Sequence, residues 1–127
     1  SGPKFDFLDA RRIKNLLDNT LVMGKRLVGN LNELMERHAV IGDVRGAGLF
    51  CGAELVADRV SKEPAPEKLV QAVIADCYAQ GVIIGATNRS LPGFNNTLCL
   101  SPALIAGEAD IDAITDAIDK ALTRVFG

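Results

Sequence analysis

The stretch Gly85–Leu104, GATNRSLPGFNNTLCLSPAL, holds the chain's one densely polar, turn-rich loop, with Thr87, Asn88, Arg89, Ser90, Pro92, Gly93, Asn95 and Asn96 among its residues. Apolar runs, Val82-Ile83-Ile84 and Leu98-Cys99-Leu100, bracket it. A loop whose ends are fixed by buried elements keeps its polar groups free, which makes this the first place to look for chemistry. The other reactive side chains give less. His38 follows Arg37 at the end of a helical pattern, and a cation there complements the helix dipole, so it reads as a helix-end residue and not a ligand. Cys51, Cys77 and Cys99 each lie in an apolar segment, with an odd count and no CxxC. That spacing reads as reduced core thiols of a cytosolic protein, with neither a disulfide framework nor a zinc site. Glycines at 42, 46, 48 and 52 invite a phosphate-loop reading, but no GxGxxG occurs and no helix pattern follows them directly.

Length and charge narrow the function classes. The chain has 127 residues, the size of one domain able to bury a core of its own. Hydrophobic residues make up 48%, yet no apolar run approaches the ~18 residues of a membrane span. No basic stretch followed by an apolar one marks a secretory signal. The 14 basic and 16 acidic residues are mixed along the chain for a net charge of −2. That balance lacks the clustered Lys and Arg of a nucleic-acid footprint.

The elements that must position the loop follow from periodicity. Between Asp9 and His38, Ile13, Leu16, Leu17, Leu21, Leu27, Val28, Leu31, Leu34 and Met35 recur at three- and four-residue spacing, which predicts a long amphipathic helix with Asp9 as its N-cap. So long an opening helix suits a rod leaving another body of protein. Two β-type runs, Val40–Arg45 and Leu49–Val56, flank a turn at Gly46-Ala47-Gly48. Ala57–Glu63 reads as a charged turn. A helix from Pro66 to Gln80 presents Leu69, Val70, Val73, Ile74, Cys77 and Tyr78, and Gly81 supplies its stop. Val82–Ala86 and Thr97–Ser101 read as strands flanking the loop, with Pro102 ending the second. Gly107–Asp110 resembles half of a capping box before a last helix, Glu108–Phe126, which buries Ile111, Ile114, Ile118, Leu122 and Val125. The order predicts an α+β fold, a small mostly antiparallel sheet with helices packed on one face.

Three segments in this order resemble a known family. His38–Val56 with its GDVRGAGLFCGAELV, Gly81–Ala86, and Thr97–Ile118 (TLCLSPALIAGEADIDAITDAI) are similar to the C-terminal small domain of class III aminotransferases. These are fold-type I enzymes that use pyridoxal phosphate (PLP), and the omega-transaminase branch is nearest. The resemblance implies that residues 1–127 are that domain, with 9–38 as the helix connecting to an absent large domain. It implies a homodimeric, cytoplasmic parent moving an amino group from an amine or omega-amino acid to a keto acid such as pyruvate. PLP chemistry needs a Schiff-base lysine in a desolvated pocket and an acidic partner for the ring nitrogen. In the family both lie in the large domain. Lys4, Lys14, Lys25, Lys62, Lys68 and Lys120 sit instead on polar helix faces, in a charged turn or at the charged N-terminus. The expectation is a chain that binds no PLP alone and is catalytically incomplete.

Within the resemblance, Arg89 stands where omega-transaminases carry an arginine that pairs with the substrate or keto-acid carboxylate. A planar guanidinium meets both carboxylate oxygens through two parallel N–H bonds. The loop here is longer between arginine and proline than the family's pattern. Arg45 matches the family's VRGxGL arginine and reads as structural. Asn88, Asn95 and Asn96 read as turn stabilisers bonding their own backbone, and Phe50 and Phe94 as core residues. The competing class is a free-standing α+β binding or regulatory module that never meets PLP.

Overall fold

The computed structural model describes residues 7–47, 50–87, 96–100 and 107–127. Its elements are α1 (Phe7–Arg37), β1 (Ile41–Ala47), β2 (Phe50–Asp58), β3 (Glu63–Pro64), α2 (Glu67–Ala79), β4 (Gly85–Thr87), β5 (Thr97–Leu100) and α3 (Glu108–Phe126). The main path of the sheet runs β1-β2-β5-β4, and the short β3 folds back onto the end of β2. All described strand pairs are antiparallel.

Register sorts the side chains by face, because strand residues alternate sides. Val44, Ala53, Leu98 and Ala86 line up across the sheet as one row. Cys51 and Leu100 lie two residues along on the same side. Ala53, Leu98, Cys51 and Leu100 are buried with Met23, Leu27, Leu31 and Leu34 of α1, Val70, Val73 and Cys77 of α2, and Ile111, Ile118 and Leu122 of α3. The sheet therefore offers one face to the helices, as the α+β reading expects.

α1 is 31 residues long, about 46 Å at 1.5 Å per residue. It begins at Phe7, so Asp9 falls within the first turn and not at the cap. Its expected apolar face divides. Leu27, Leu31 and Leu34 are buried, whereas Ile13, Leu16, Leu17 and Leu21 stand 39–51% exposed. Thr20 is the first fully covered residue among the described side chains of the helix, its hydroxyl donating to the Leu16 carbonyl at 2.8 Å. Periodicity marks the face of a helix; it does not supply the partner that covers it.

The other departures are local. The β1–β2 ladder continues to Ala47↔Phe50, so Gly46 and Ala47 belong to the strand and not to the turn. Gly46 is needed there because α1 comes close: a Cβ on it would fall 2.6 Å from Val28 Cγ2. The Ala57–Glu63 turn contains the start of β3. Val82–Ile84 precede β4 instead of forming its first half, and Ile83 is 85% exposed. The cause is the corner ending α2. Gly81 adopts φ +89°, its N–H reaches Tyr78 O at 2.9 Å, and Val82 N–H reaches Cys77 O at 2.8 Å. This closing motif spends the Val82 donor on the helix. Tyr78, expected on the inner face, is 69% exposed. Ahead of α3, Gly107 N–H donates to the Asp110 carboxylate at 3.2 Å, the half of the capping box that a glycine permits.

Candidate functional site

Arg89, Asn88, Asn95 and Phe94 lie outside the described residues, and of Phe50 only the strand position is described. The structure does define the base on which their loop stands. Thr87 of β4 pairs with Thr97 of β5, so the chain leaves and re-enters the sheet at adjacent positions. Thr97 pairs on its other side with Glu54 of β2. Asn96 is buried and departs from the expected turn role: its side-chain Nδ2 donates to Leu55 O at 3.1 Å. The Leu55 N–H donates back to Asn96 O at 2.8 Å. These two bonds carry the β2–β5 pairing one residue beyond its ladder and fix the exit of the loop. Thr97 is 3% exposed, and its Oγ1 has no hydrogen-bond partner among the described residues.

Arg45 lies toward the other end of the β1–β2 hairpin, paired across the strands with Gly52. Its Nε donates to Asp43 Oδ2, two residues back in the same strand. The ion pair raises the guanidinium pKa above its already high ordinary value, the hydrogen bond to Asp43 being the main cause. The structural reading of Arg45 agrees with this geometry.

His38 lies just past α1, its Nε2 2.6 Å from Asp119 Oδ1 in α3, and Arg37 donates to Asp119 Oδ2 at 3.2 Å. The Asp119 carboxyl is held below the usual carboxylate range, first by the hydrogen bond to His38 and then by the charge of Arg37. Higher up the same interface Arg26 meets Asp112 through both Nε and Nη2, at 3.0 and 2.8 Å. Asn30 donates to Asp112 and Thr115. Arg59, beyond β2, donates to the carbonyls of Met35, His38, Ala39 and Ile41. It satisfies carbonyls that the end of a helix leaves without partners. No periodicity in the sequence announces these contacts, because they join residues 18 to 86 positions apart.

The Cys51 and Cys77 thiols are unactivated. Burial pushes Cys77 up to about 11, with a smaller contribution from Asp76, and raises Cys51 as well. A thiol held above its ordinary range is neutral and a poor nucleophile. Among the described residues no group of His, Cys, Asp and Glu could hold a metal ion. No described helix is long and apolar enough to cross a membrane. The described lysines, Lys14, Lys25, Lys62, Lys68 and Lys120, are all exposed. They do not fit PLP, whose imine-forming lysine needs a desolvated pocket.

Comparison with known proteins adds the family. The family model described as aminotransferase class-III matches residues 5–122. A hypotaurine/taurine–pyruvate aminotransferase of Paracoccus denitrificans is 73% identical over 99% of this chain, which spans 28% of that relative. A taurine–pyruvate aminotransferase of Bilophila wadsworthia is 54% identical over 98% of this chain, again 28% of the relative. Among solved structures, a Bacillus anthracis aminotransferase superposes with a TM-score of 0.84 at 33% identity, over 93% of this chain and 26% of its own. A PLP-bound amine transaminase from an uncultivated Pseudomonas species gives 0.79 at 27% identity, covering 93% and 26%. Motif order, fold and family model agree, and the chain belongs to the PLP-dependent class III aminotransferases.

Proposed function

We propose that this chain works as the C-terminal small domain of a taurine-type amine–pyruvate aminotransferase. The observation that carries the reading is 73% identity, across 99% of the chain, to a hypotaurine/taurine–pyruvate aminotransferase. The donor is then a short amine with a terminal acidic group, and pyruvate accepts the amino group. The PLP-binding lysine and the pyridinium partner lie in a further portion of polypeptide, to which α1 connects. The exposure of every described lysine supports that division. Cytoplasmic placement accords with three free cysteines.

The part played by this chain is recognition. PLP, bound elsewhere, supplies the electron sink that lets the amino group transfer. Arg89 pairs through its two parallel N–H bonds with the acidic group of donor or acceptor. A loop gives such precision only when its base is stiff. The Thr87↔Thr97 pair and the Asn96–Leu55 bonds support that stiffness.

The test uses a polypeptide in which the cofactor-binding portion precedes this chain. Taurine and pyruvate yield alanine and the corresponding aldehyde, and Arg89→Ala raises the pyruvate KM by roughly tenfold or more, as loss of a charged bidentate contact does. No transfer from any short amine to pyruvate overturns the function; an unchanged KM overturns the role of Arg89. The 127-residue chain mixed with PLP and borohydride traps no stoichiometric lysine adduct, and one such adduct refutes the division of labour.

A further inference from the structure

At the base of the Arg89 loop the sheet holds a polar group that nothing in the described chain uses. Leu98 and Ala53 face the core, so their strand neighbours Thr97 and Glu54 belong to the opposite face, away from the helices. Thr97 is 3% exposed, and its Oγ1 is the one buried side-chain nitrogen or oxygen without a hydrogen-bond partner among the described residues. Buried hydroxyls in folded proteins are almost always paired, so an open one marks a place where a partner arrives from outside. The side chain is held in place. A Cβ on Gly52 would fall 3.3 Å from Thr97 Cγ2, so the methyl occupies the hollow that this glycine leaves. In a β-branched side chain, seating the methyl also sets the direction of the hydroxyl. The backbone is pinned one residue earlier by the Asn96–Leu55 bonds. Thr97 pairs with Thr87, and the covalent chain keeps the Cα of Arg89, two residues on, within about 7 Å of that of Thr87. Glu54 and Asp43 continue the row, and Arg45, bonded to Asp43 and close to Glu54, offsets part of their charge.

We infer that the Thr97 hydroxyl donates to the third oxygen of a sulfonate, and so sets the preference of this site for an amine that ends in a sulfonate over one whose acidic group has two oxygens. The reason is a count of donors. A guanidinium fork meets two oxygens in parallel. A carboxylate or a sulfinate offers no more, whereas a sulfonate carries a third oxygen outside that pair. Left bare in a site closed to water, that oxygen loses its hydration without return, and the ligand that owns it binds more weakly. A hydroxyl supplies the missing donor without adding a charge. Covered as it is, the Thr97 hydroxyl spends nothing on bulk solvent and meets only a group held against the sheet. This assignment rests on the proposed function, in which Arg89 takes two oxygens of the acidic group; it adds which acidic group the site prefers and the residue responsible.

Taurine and hypotaurine differ by one oxygen on sulfur, and the PLP-loaded longer polypeptide reads that difference. Thr97→Val keeps the shape of the side chain and removes the hydroxyl. The ratio of kcat/KM for taurine to that for hypotaurine, followed as alanine formed from pyruvate, then falls roughly tenfold or more, and Thr97→Ser restores most of it. Calorimetry with ethanesulfonate and ethanesulfinate, which carry no amine and cannot react, shows the same loss of preference in Thr97→Val. A ratio and a preference unchanged by Thr97→Val overturn the inference. So does a loss shared equally by both ligands, which makes Thr97 a structural residue, and so does an unsubstituted polypeptide that binds ethanesulfonate no better than ethanesulfinate. If the unsubstituted polypeptide transfers no amino group while its preference for ethanesulfonate still disappears in Thr97→Val, the function fails and the Thr97 contact stands.

Discussion

The two halves of α1 carry one stripe and meet opposite fates. From Met23 onward the helix is built into the molecule: Leu27 and Leu31 are 0% exposed, and Arg26, Asn30 and Arg37 reach across to Asp112, Thr115 and Asp119 of α3. Before Met23 the same spacing of Leu and Ile leaves Ile13, Leu16, Leu17 and Leu21 facing solvent. The two halves share chemistry and propensity, so the difference lies in what the rest of the chain brings alongside. A hydrophobic pattern states a requirement for burial, and a neighbouring element has to meet it.

The sharpest test of that contrast is a pair of truncations. Leu31→Ala leaves a cavity in a site closed by the sheet and α3, and costs about 2–5 kcal/mol in denaturant unfolding. Leu17→Ala, the smallest effect foreseen here, costs under about 0.5 kcal/mol in this chain, since its side chain is already 40% exposed. Equal costs would break the comparison. Between these extremes lies Gly46→Ala, at the crossing of α1 and the hairpin. Its methyl would fall 2.6 Å from Val28 Cγ2, and a β-branched neighbour gives way poorly. Unfolding should show a loss of about 1–3 kcal/mol. A neutral Gly46→Ala would mean that α1 is not pressed against β1.

A weaker effect belongs to the polar seam between the covered half and α3. The folded pKa of Asp119 is depressed by His38 and Arg37. Its contribution is present above the unfolded carboxylate value of about 4 and is lost as pH falls through the folded one. Replacing it by Asn removes roughly 0.5–1 kcal/mol at neutral pH, a figure kept small because the carboxylate is partly solvated. The variant should also flatten the acid limb of stability between about pH 2 and 5. An acid limb as steep as that of the parent protein would show that the seam holds no charge energy.

Much of this fold was legible before any coordinates. The helices could be placed because Leu, Ile and Val recur at helical spacing, and α2 could be stopped at Gly81 because a residue at φ +89° favours glycine. The β1–β2 hairpin and the strand after the Arg89 loop were legible as short apolar runs between glycines and prolines. Val82–Ile84 misled because three apolar residues at a helix end look like a strand, while the corner takes the Val82 donor. Asn96 misled in the other direction. A turn-forming residue type next to other asparagines looks local, yet its amide bonds Leu55, 41 positions away. The arginine of the candidate loop came into view only through motif resemblance, since a single cation among polar residues has no period to mark it.

By itself the sequence determined which segments are helices and strands, which side of each is apolar, and through the order of its motifs the family to which the chain belongs. These are local properties, set by backbone preference and by the repeat of side chains along one element. Only the tertiary structure decided that α1 is covered from Met23 while Ile13, Leu16, Leu17 and Leu21 before it are exposed, that Arg59 and Asp119 secure its end, and that Asn96 ties the loop to β2. Burial and long-range hydrogen bonds depend on which surfaces meet, and that is a property of the packed chain and not of any stretch within it.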